Sequence, residues 1–465
     1  MCRIVVPAFS FASALFAHFV RAHEPALVSN EVIFGSDFEA PSPTGTGSIH
    51  LQLNSDRAVS GNPERLLEKT IWIPNDGWAY IESDGRYYSS IMPTGRLARV
   101  WIEIDGSSVS NDSTIDWTGG THVSQHCFNA IAAVYLSRGY HDVSLVADGQ
   151  SFYAGAGTSL SLVANVASDV EVSTLPADAG PYSFALPSGG LPDGSVVPSY
   201  AVLSHTAATS PGSPIISMAS FSETNAGRLG DALATIYLDG SQPTLSQSVW
   251  TNNDGYDVIE RRAPMYAHAY FDTGTSHFIS LNASLYPWSV NGQADDVTYR
   301  IDKGAKLLSL AGGMTLFGKA LSLWNAPQDE SHFGSFWCIG SSQNWPGCPQ
   351  AGSDVKLASA MISVPATHHG EVFFTSKIRM QGDHTDGGGN VFLYLKVDGH
   401  ATGTYGVQGI TAYDGESQRT LTTSYFSAGS RRLAPGTHVI EAWTKATGTF
   451  IHMTASADLP LIYFD

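Results

Sequence analysis

One pattern recurs three times along the 465-residue chain, in a fixed order, and it restricts the possible folds more than any other feature. Its first marker is an alternating strand that ends in Asp-Gly. The copies are Ala98-Arg-Val-Trp-Ile-Glu-Ile-Asp105-Gly106, Ala232-Leu-Ala-Thr-Ile-Tyr-Leu-Asp239-Gly240 and Asn390-Val-Phe-Leu-Tyr-Leu-Lys-Val-Asp398-Gly399. Alternation with a period of two puts one face on a core and the other in water. Asp-Gly then supplies the positive φ angles of a tight hairpin. About 35–40 positions later comes a glycine, a histidine and another alternating strand: Gly139-Tyr-His141, Gly274-Thr-Ser-His277 and Gly436-Thr-His438. An aromatic-rich strand precedes each: Ala133 to Leu136, Ala267 to Phe271 and Ser424 to Phe426.

A third marker lies upstream. Thr70-Ile-Trp-Ile-Pro74 with Gly77-Trp-Ala-Tyr-Ile81 matches Met361-Ile-Ser-Val-Pro365 with Gly370-Glu-Val-Phe-Phe374, and the middle copy diverges between Val202 and Phe221. The repeat sets the expected division: signal peptide 1–22, linker 23–48, module one 49–166, linker 167–198, module two 199–310, connector 311–353 and module three 354–465. Many short strands with frequent turn signals, and no long amphipathic helix, mean an all-β chain of three tandem antiparallel β-sandwich modules.

The order strand–Pro–turn–strand, strand–Asp-Gly, Gly-x-His–strand resembles the jelly-roll modules of secreted bacterial and phage-tail proteins, a broad group with lectin-like and C1q/TNF-like members. The resemblance implies a fold and a tendency to bind or assemble, and it carries over no catalytic residue. C1q/TNF-like jelly rolls commonly pack as trimers, so the resemblance suggests an intramolecular pseudo-trimer for three modules on one chain. The modules would sit around a pseudo-threefold axis, with the aromatic-rich strands buried against it. The alternative is beads on a string, with the aromatics filling each module's own core.

Only 14% of residues are charged, and the formal net charge is −18. That balance excludes nucleic acid as a main partner, because phosphate contacts need Lys and Arg. It equally disfavours anionic membranes and polyanionic glycans. A neutral glycan, a protein surface or a cation fits. Arg3, the apolar run Ile4 to Val20 and the small-x-small site Val20-Arg21-Ala22 read as a secretory signal. The tract Glu31 to Glu39 is similar to one that follows the signal in exported proteobacterial proteins. The expected location is secreted or cell-surface, with bacterial export and no membrane span in the mature chain.

In an oxidising compartment Cys338 and Cys348, which bracket a short loop, are expected to form a disulfide worth up to about 3 kcal/mol. Cys127 is left as a buried thiol. No nucleophile elbow, H-E-x-x-H, P-loop or paired C-x-x-C occurs, which favours a non-enzyme. His122 and His126 have a spacing that holds zinc only on a helix, and they stand in a strand context. Asp383, Asp386 and Asn390, around Gly382 to Asn390, offer hard oxygens for calcium, with Asn252, Asp254 and Asp257 a weaker analogue. Trp324, Trp337 and Trp345, beside Asn344, could face a sugar or pack between modules. The expected function is an exported binding, adhesion or surface-assembly protein with carbohydrate binding through exposed aromatics. Its alternatives are a carbohydrate-active hydrolase or lyase, for which Glu371 with Asp383 or Asp386 could be nominated, and a purely structural surface protein.

Overall fold

In the computed structural model every described element is a β-strand. The structure describes residues 48–321 and 354–464, except 89–96, 117–124, 165, 167–168, 185–198, 209–214, 227–229, 242–248, 254–260, 272–275, 288, 291–292, 295–296, 313, 365–371, 385–388, 411–418, 432–433 and 449–451. The fold is all-β and antiparallel, as the alternation in the sequence requires.

Eight principal strands make the first copy: Ser48–Gln52, Glu64–Ile73, Gly77–Tyr88, Leu97–Ile104, Ser113–Asp116, Gln125–Leu136, Gly139–Gly149 and Ser159–Ala164. The second comprises Asp169–Thr174, Ser199–Ala208, Ile215–Ala226, Gly230–Leu238, Val249–Asn253, Arg261–Phe271, Ser276–Pro287 and Lys306–Ala311. The third comprises Met314–Leu321, Asp354–Val364, Val372–His384, Gly389–Val397, His400–Ile410, Arg419–Arg431, Gly436–Gly448 and His452–Phe464. In each set the first, eighth, third and sixth strands are neighbours in one sheet, and the second, seventh, fourth and fifth in another. This is the strand order of an eight-stranded jelly roll. Residues 169–174 and 314–321, read from sequence as linker and connector, are thus edge strands pairing with Lys306–Ala311 and His452–Phe464.

Two register features recur in all three copies. The residue before each Asp-Gly pairs with the second residue after the histidine: Ile104 with Val143, Leu238 with Ile279, and Val397 with Ile440. A register shift interrupts the second strand at one equivalent place, between Arg65 and Leu67, Ala201 and Leu203, and Lys356 and Ala358. Such a bulge bends and twists the strand over its core.

Two apolar cores fill the spaces between the sheets. The first joins Ile81, Phe128 and Leu162 of one sheet to Ile71, Ile102 and Val143 of the other. The second joins Ile215, Phe221 and Leu307 to Leu203, Ile236 and Ile279. Alternation sends Tyr80, Glu82, Ile131 and Val163 to the opposite face of the first copy's first sheet, where water would be expected, yet all four are buried. Ile216, Met218, Leu308 and Leu310 repeat this in the second copy.

Contacts between copies cover these faces. The fifth strand of the first copy runs against the sixth of the second, with Asp116 opposite Arg262. The fifth of the second runs against the sixth of the third, and the fifth of the third against the sixth and third strands of the first. The three sixth strands also touch pairwise. Tyr135, on the first aromatic-rich strand, is not among the covered residues: it is 57% exposed and stands edge-on to Trp78.

Gly149 tests the first copy's geometry. At φ +145° a Cβ there would lie 2.1 Å from the carbonyl oxygen of Leu97. Gly399, at φ +80°, has nothing within 4 Å. Gly149→Ala is expected to cost roughly 3 kcal/mol or more in urea denaturation, and Gly399→Ala only about 1–2 kcal/mol of left-handed strain. Equal losses would contradict the close approach at Gly149.

Candidate functional site

The Asp-Gly turns carry the chain's recurring polar device. Asp105, Asp239 and Asp398 have φ of 51°, 48° and 51°, and the following glycines 77°, 78° and 80°, the two positive values of a type I′ hairpin. The strained aspartate is held from three sides. Its backbone N–H donates to the carbonyl of Asp142, Phe278 or Val439, at 2.8 Å each time. One carboxylate oxygen accepts the N–H of that same residue, at 2.9, 2.8 and 2.9 Å. The other accepts from Nδ1 of His141, His277 or His438, at 2.8, 2.7 and 2.7 Å.

In the first and third copies the imidazole bonds on both sides. Nε2 of His141 meets the Ser137 carbonyl at 2.9 Å, and Nε2 of His438 meets that of Ala434 at 2.7 Å. A carboxylate and a carbonyl only accept, so this setting favours the form in which both ring nitrogens carry a proton. Burial alone would lower the affinity of His141 for its proton, but the bonds to Asp105 and Ser137 outweigh it and raise the pKa. The bond to Asp398 raises that of His438. The bond from His277 holds the Asp239 carboxyl below its ordinary range. These histidines are fastened into the turns, so their equivalence is the signature of a clasp.

A second polar cluster lies where the first and second copies meet. Glu82 is 1% exposed; it accepts from the Tyr80 hydroxyl at 2.5 Å and from Asn129 Nδ2 at 2.9 Å. Burial pushes its carboxyl up to about 8, and the charge of neighbouring Asp84 adds to the rise against both hydrogen bonds. The backbone carbonyl of Asn129 accepts from Ser220 of the second copy at 2.9 Å. Ser222 donates to the Asp112 carbonyl at 2.9 Å and accepts from Thr114 N–H at 2.7 Å. This is a sealed seam, and a substrate cannot reach carboxylates buried in it.

The shortest serine–histidine contact among the described residues, Ser309 Oγ to His205 Nε2 at 2.7 Å, is part-buried. Ser173 and Ser217 continue the chain of hydroxyls, at 3.0 and 2.7 Å. Ser309 is buried, and burial drops His205 to about 4. The chain satisfies core polar groups and offers no open nucleophile.

On the solvent-facing sheet of the first copy, Trp72 and Tyr140 stand opposite each other, ring centroids 4.8 Å apart at 60°. They are 36% and 74% exposed, and the Arg138 guanidinium lies 5.9 Å from the Trp72 ring. The sequence reading passed over this pair while using its strands as markers. Comparing the copies position by position would have found it, because the others carry small residues there.

Of the residues singled out from sequence, Trp324, Trp337, Trp345, Asn344, Cys338, Cys348 and Asp386 lie outside the described residues, as do His122, Asp254, Asp257 and Glu371. Asp383 falls on a strand opposite Thr420 and His452, and Asn390 on the next strand opposite Gly409 and Thr447, only their backbones being described. His126 and Cys127 pair with Tyr87 and Arg86 within a strand. Among the described residues no group of three His, Cys, Asp or Glu side chains is placed to hold a metal. No helix among them is long and apolar enough to cross a membrane.

The sequence matches no protein-family model and no curated protein. Among solved structures, a chain of infectious bursal disease virus, Gt strain, is similar at 12% identity and TM-score 0.21, over 90% of this chain and 80% of that one. The VP2 subviral particle of the same virus gives 11% and 0.21, over 90% and 80%. The extracellular domain of ANXUR2 from Arabidopsis thaliana gives 8% and 0.16, over 57% and 88%. Likenesses at these scores assign nothing further to this chain.

Two outcomes test the polar clusters. Unfolded Glu82 ionises near 4.5 and folded Glu82 near 8, so the folded state holds the extra proton and stability falls as pH rises across that interval. The raised histidines act in the same direction, their contribution being lost as pH climbs through their folded pKa. Buried neutral His205 acts oppositely, but only between about 4 and 6.5. Stability should therefore drop by about 2 kcal/mol from pH 6.5 to 8 through Glu82 alone, at about 1.4 kcal/mol per proton per pH unit, and Glu82→Gln should flatten the slope. An unchanged slope in urea titrations of Glu82→Gln would refute the assignment. Separately, Asp398→Ala should cost about 1–2 kcal/mol, a value discounted for the exposure of the pair, and Asp398→Asn less, since asparagine keeps the positive φ and an acceptor.

Proposed function

We propose that this chain is an exported surface-assembly and binding protein, with three jelly-roll modules closed on themselves as an intramolecular pseudo-trimer. One observation carries the reading: fifth strand meets sixth strand from copy one to two, two to three and three back to one, and the three sixth strands touch. Independent domains on a string would leave Ile131, Ile216, Met218 and Leu308 in water; here they are buried. A ring that uses one sheet face of each module for its own closure gains a rigid body and keeps the other sheets free for presentation. In this reading strands 169–174 and 314–321 belong to the second and third modules.

The hydrolase alternative rests on Glu371 with Asp383 or Asp386, whose side chains lie outside the described residues, and the described buried carboxylates add nothing to it. The Glu82 and Asp84 carboxylates are sealed in the seam and Ser309 in a core, whereas glycoside hydrolysis needs two carboxylates flanking an open cleft. Calcium at Asp383, Asp386 and Asn390, and the bond between Cys338 and Cys348, belong to the proposal as added stabilisers of the third module and its approach. Chelator titration of the melting curve and mass spectrometry of the non-reduced chain check them.

Small-angle scattering of the processed chain tests the closure. A compact chain of this size has a radius of gyration of about 22 Å, against about 32 Å for three such modules in a row. The compact value is expected, and the extended one would overturn the pseudo-trimer. Fractionation of cells producing the full chain should find it in the medium or on the surface; retention inside the cell would overturn the exported role.

A further inference from the structure

We infer that the solvent-facing sheet of the first copy is a binding platform for a neutral polysaccharide, built on Trp72 and Tyr140. The inference rests on the binding part of the reading above and gives it a place and a ligand class.

The repeat supplies its own control. Trp72 pairs with Tyr140 one residue before the clasp histidine. At the same register position the second copy has Ala208 opposite Ser276, and the third has Ser363 opposite Thr437. All six positions face solvent. The fold is thus built twice with small side chains there, and packing does not require the two aromatics. Exposed aromatic surface of this kind is unfavourable in water unless a partner covers it.

The surroundings favour sugar. The Tyr140 ring stands at 60° to that of Trp72, both are exposed, and such rings cover the apolar C–H faces of sugars. In the next outward-facing row Thr70 is bonded to Asp142 at 2.5 Å, and Glu68 stands exposed in the row beyond. These oxygens accept hydrogen bonds from sugar hydroxyls. Glu68 is paired with Arg65 at 3.0 Å, and Asp142 and the net charge of −18 disfavour a polyanion. The Arg138 guanidinium is already set over the Trp72 ring. An open sheet face does not enclose a small molecule, so useful affinity requires an extended chain of sugars.

Affinity electrophoresis of the processed protein in gels containing β-glucan, xylan, mannan or amylopectin, with dextran sulfate as the polyanion, tests this. At least one neutral polysaccharide should retard the wild type. Trp72→Ser with Tyr140→Thr, which installs the third copy's residues, should weaken binding by about tenfold or more, since a few aromatic anchors carry most of the affinity of such a site. Tyr140→Thr alone, at the more exposed position, should weaken it partly with an unchanged melting curve, which separates binding from folding. No retardation in any neutral gel, retardation by dextran sulfate only, or undiminished retardation of the double variant would overturn the proposal. Each of these leaves the scattering result untouched, so failure here is distinguishable from failure of the closed ring.

Discussion

Each Asp-Gly turn fixes the register of a whole sheet through one carboxylate. With both turn residues at positive φ, a non-glycine residue at the first place costs energy, and aspartate recovers it by bonding the neighbouring strand twice. One oxygen takes the backbone N–H of Asp142, Phe278 or Val439, and the other takes the histidine Nδ1. A slip of one residue would break both bonds and turn every apolar side chain of the strand towards water. The equivalent bulges in the second strand follow from this anchor, because the same curvature has to be met at the same distance from it.

The proposed closure of the three copies depends on those fixed registers. The faces that meet are apolar in part, through Ile131, Ile216 and Met218, and polar in part, through Asn129, Ser220 and Ser222. Polar groups buried between sheets cost several kcal/mol unless partnered. Here serine hydroxyls reach backbone oxygens that an edge strand leaves free. Glu82 is tolerated in the same seam because its carboxyl keeps its proton up to about pH 8. The free faces are the opposite sheets, and the aromatic pair of the first copy stands on one of them.

Much of the fold was legible because β-structure writes its period and turns locally. The strands ending in Asp105, Asp239 and Asp398, the histidine strands and their ordered recurrence all rest on side-chain alternation and on the need for positive φ. The divergent middle copy was the hardest to read, since Ile215–Phe221 carries buried apolar residues on both faces and shows no clean alternation. That run is what a strand covered by a core on one side and another copy on the other must look like. The edge strands 169–174 and 314–321 lie within stretches whose composition reads as linker and connector, and their pairing with Lys306–Ala311 and His452–Phe464 is set by residues far along the chain.

The candidate site divides the same way. The three histidines were visible as equivalents, but equivalence does not say whether an imidazole faces a ligand or fastens a turn, and only the distances to carboxylate and carbonyl decide that. Trp72 and Tyr140 lie far apart in sequence, and pairing across the sheet makes them one surface. The sequence by itself determined the β class, the threefold repeat and the turn chemistry, because these depend on residues near one another along the chain. Which faces are sealed, which carboxylate stays protonated and which aromatics remain in water were decided by tertiary structure, because burial depends on what packs from elsewhere.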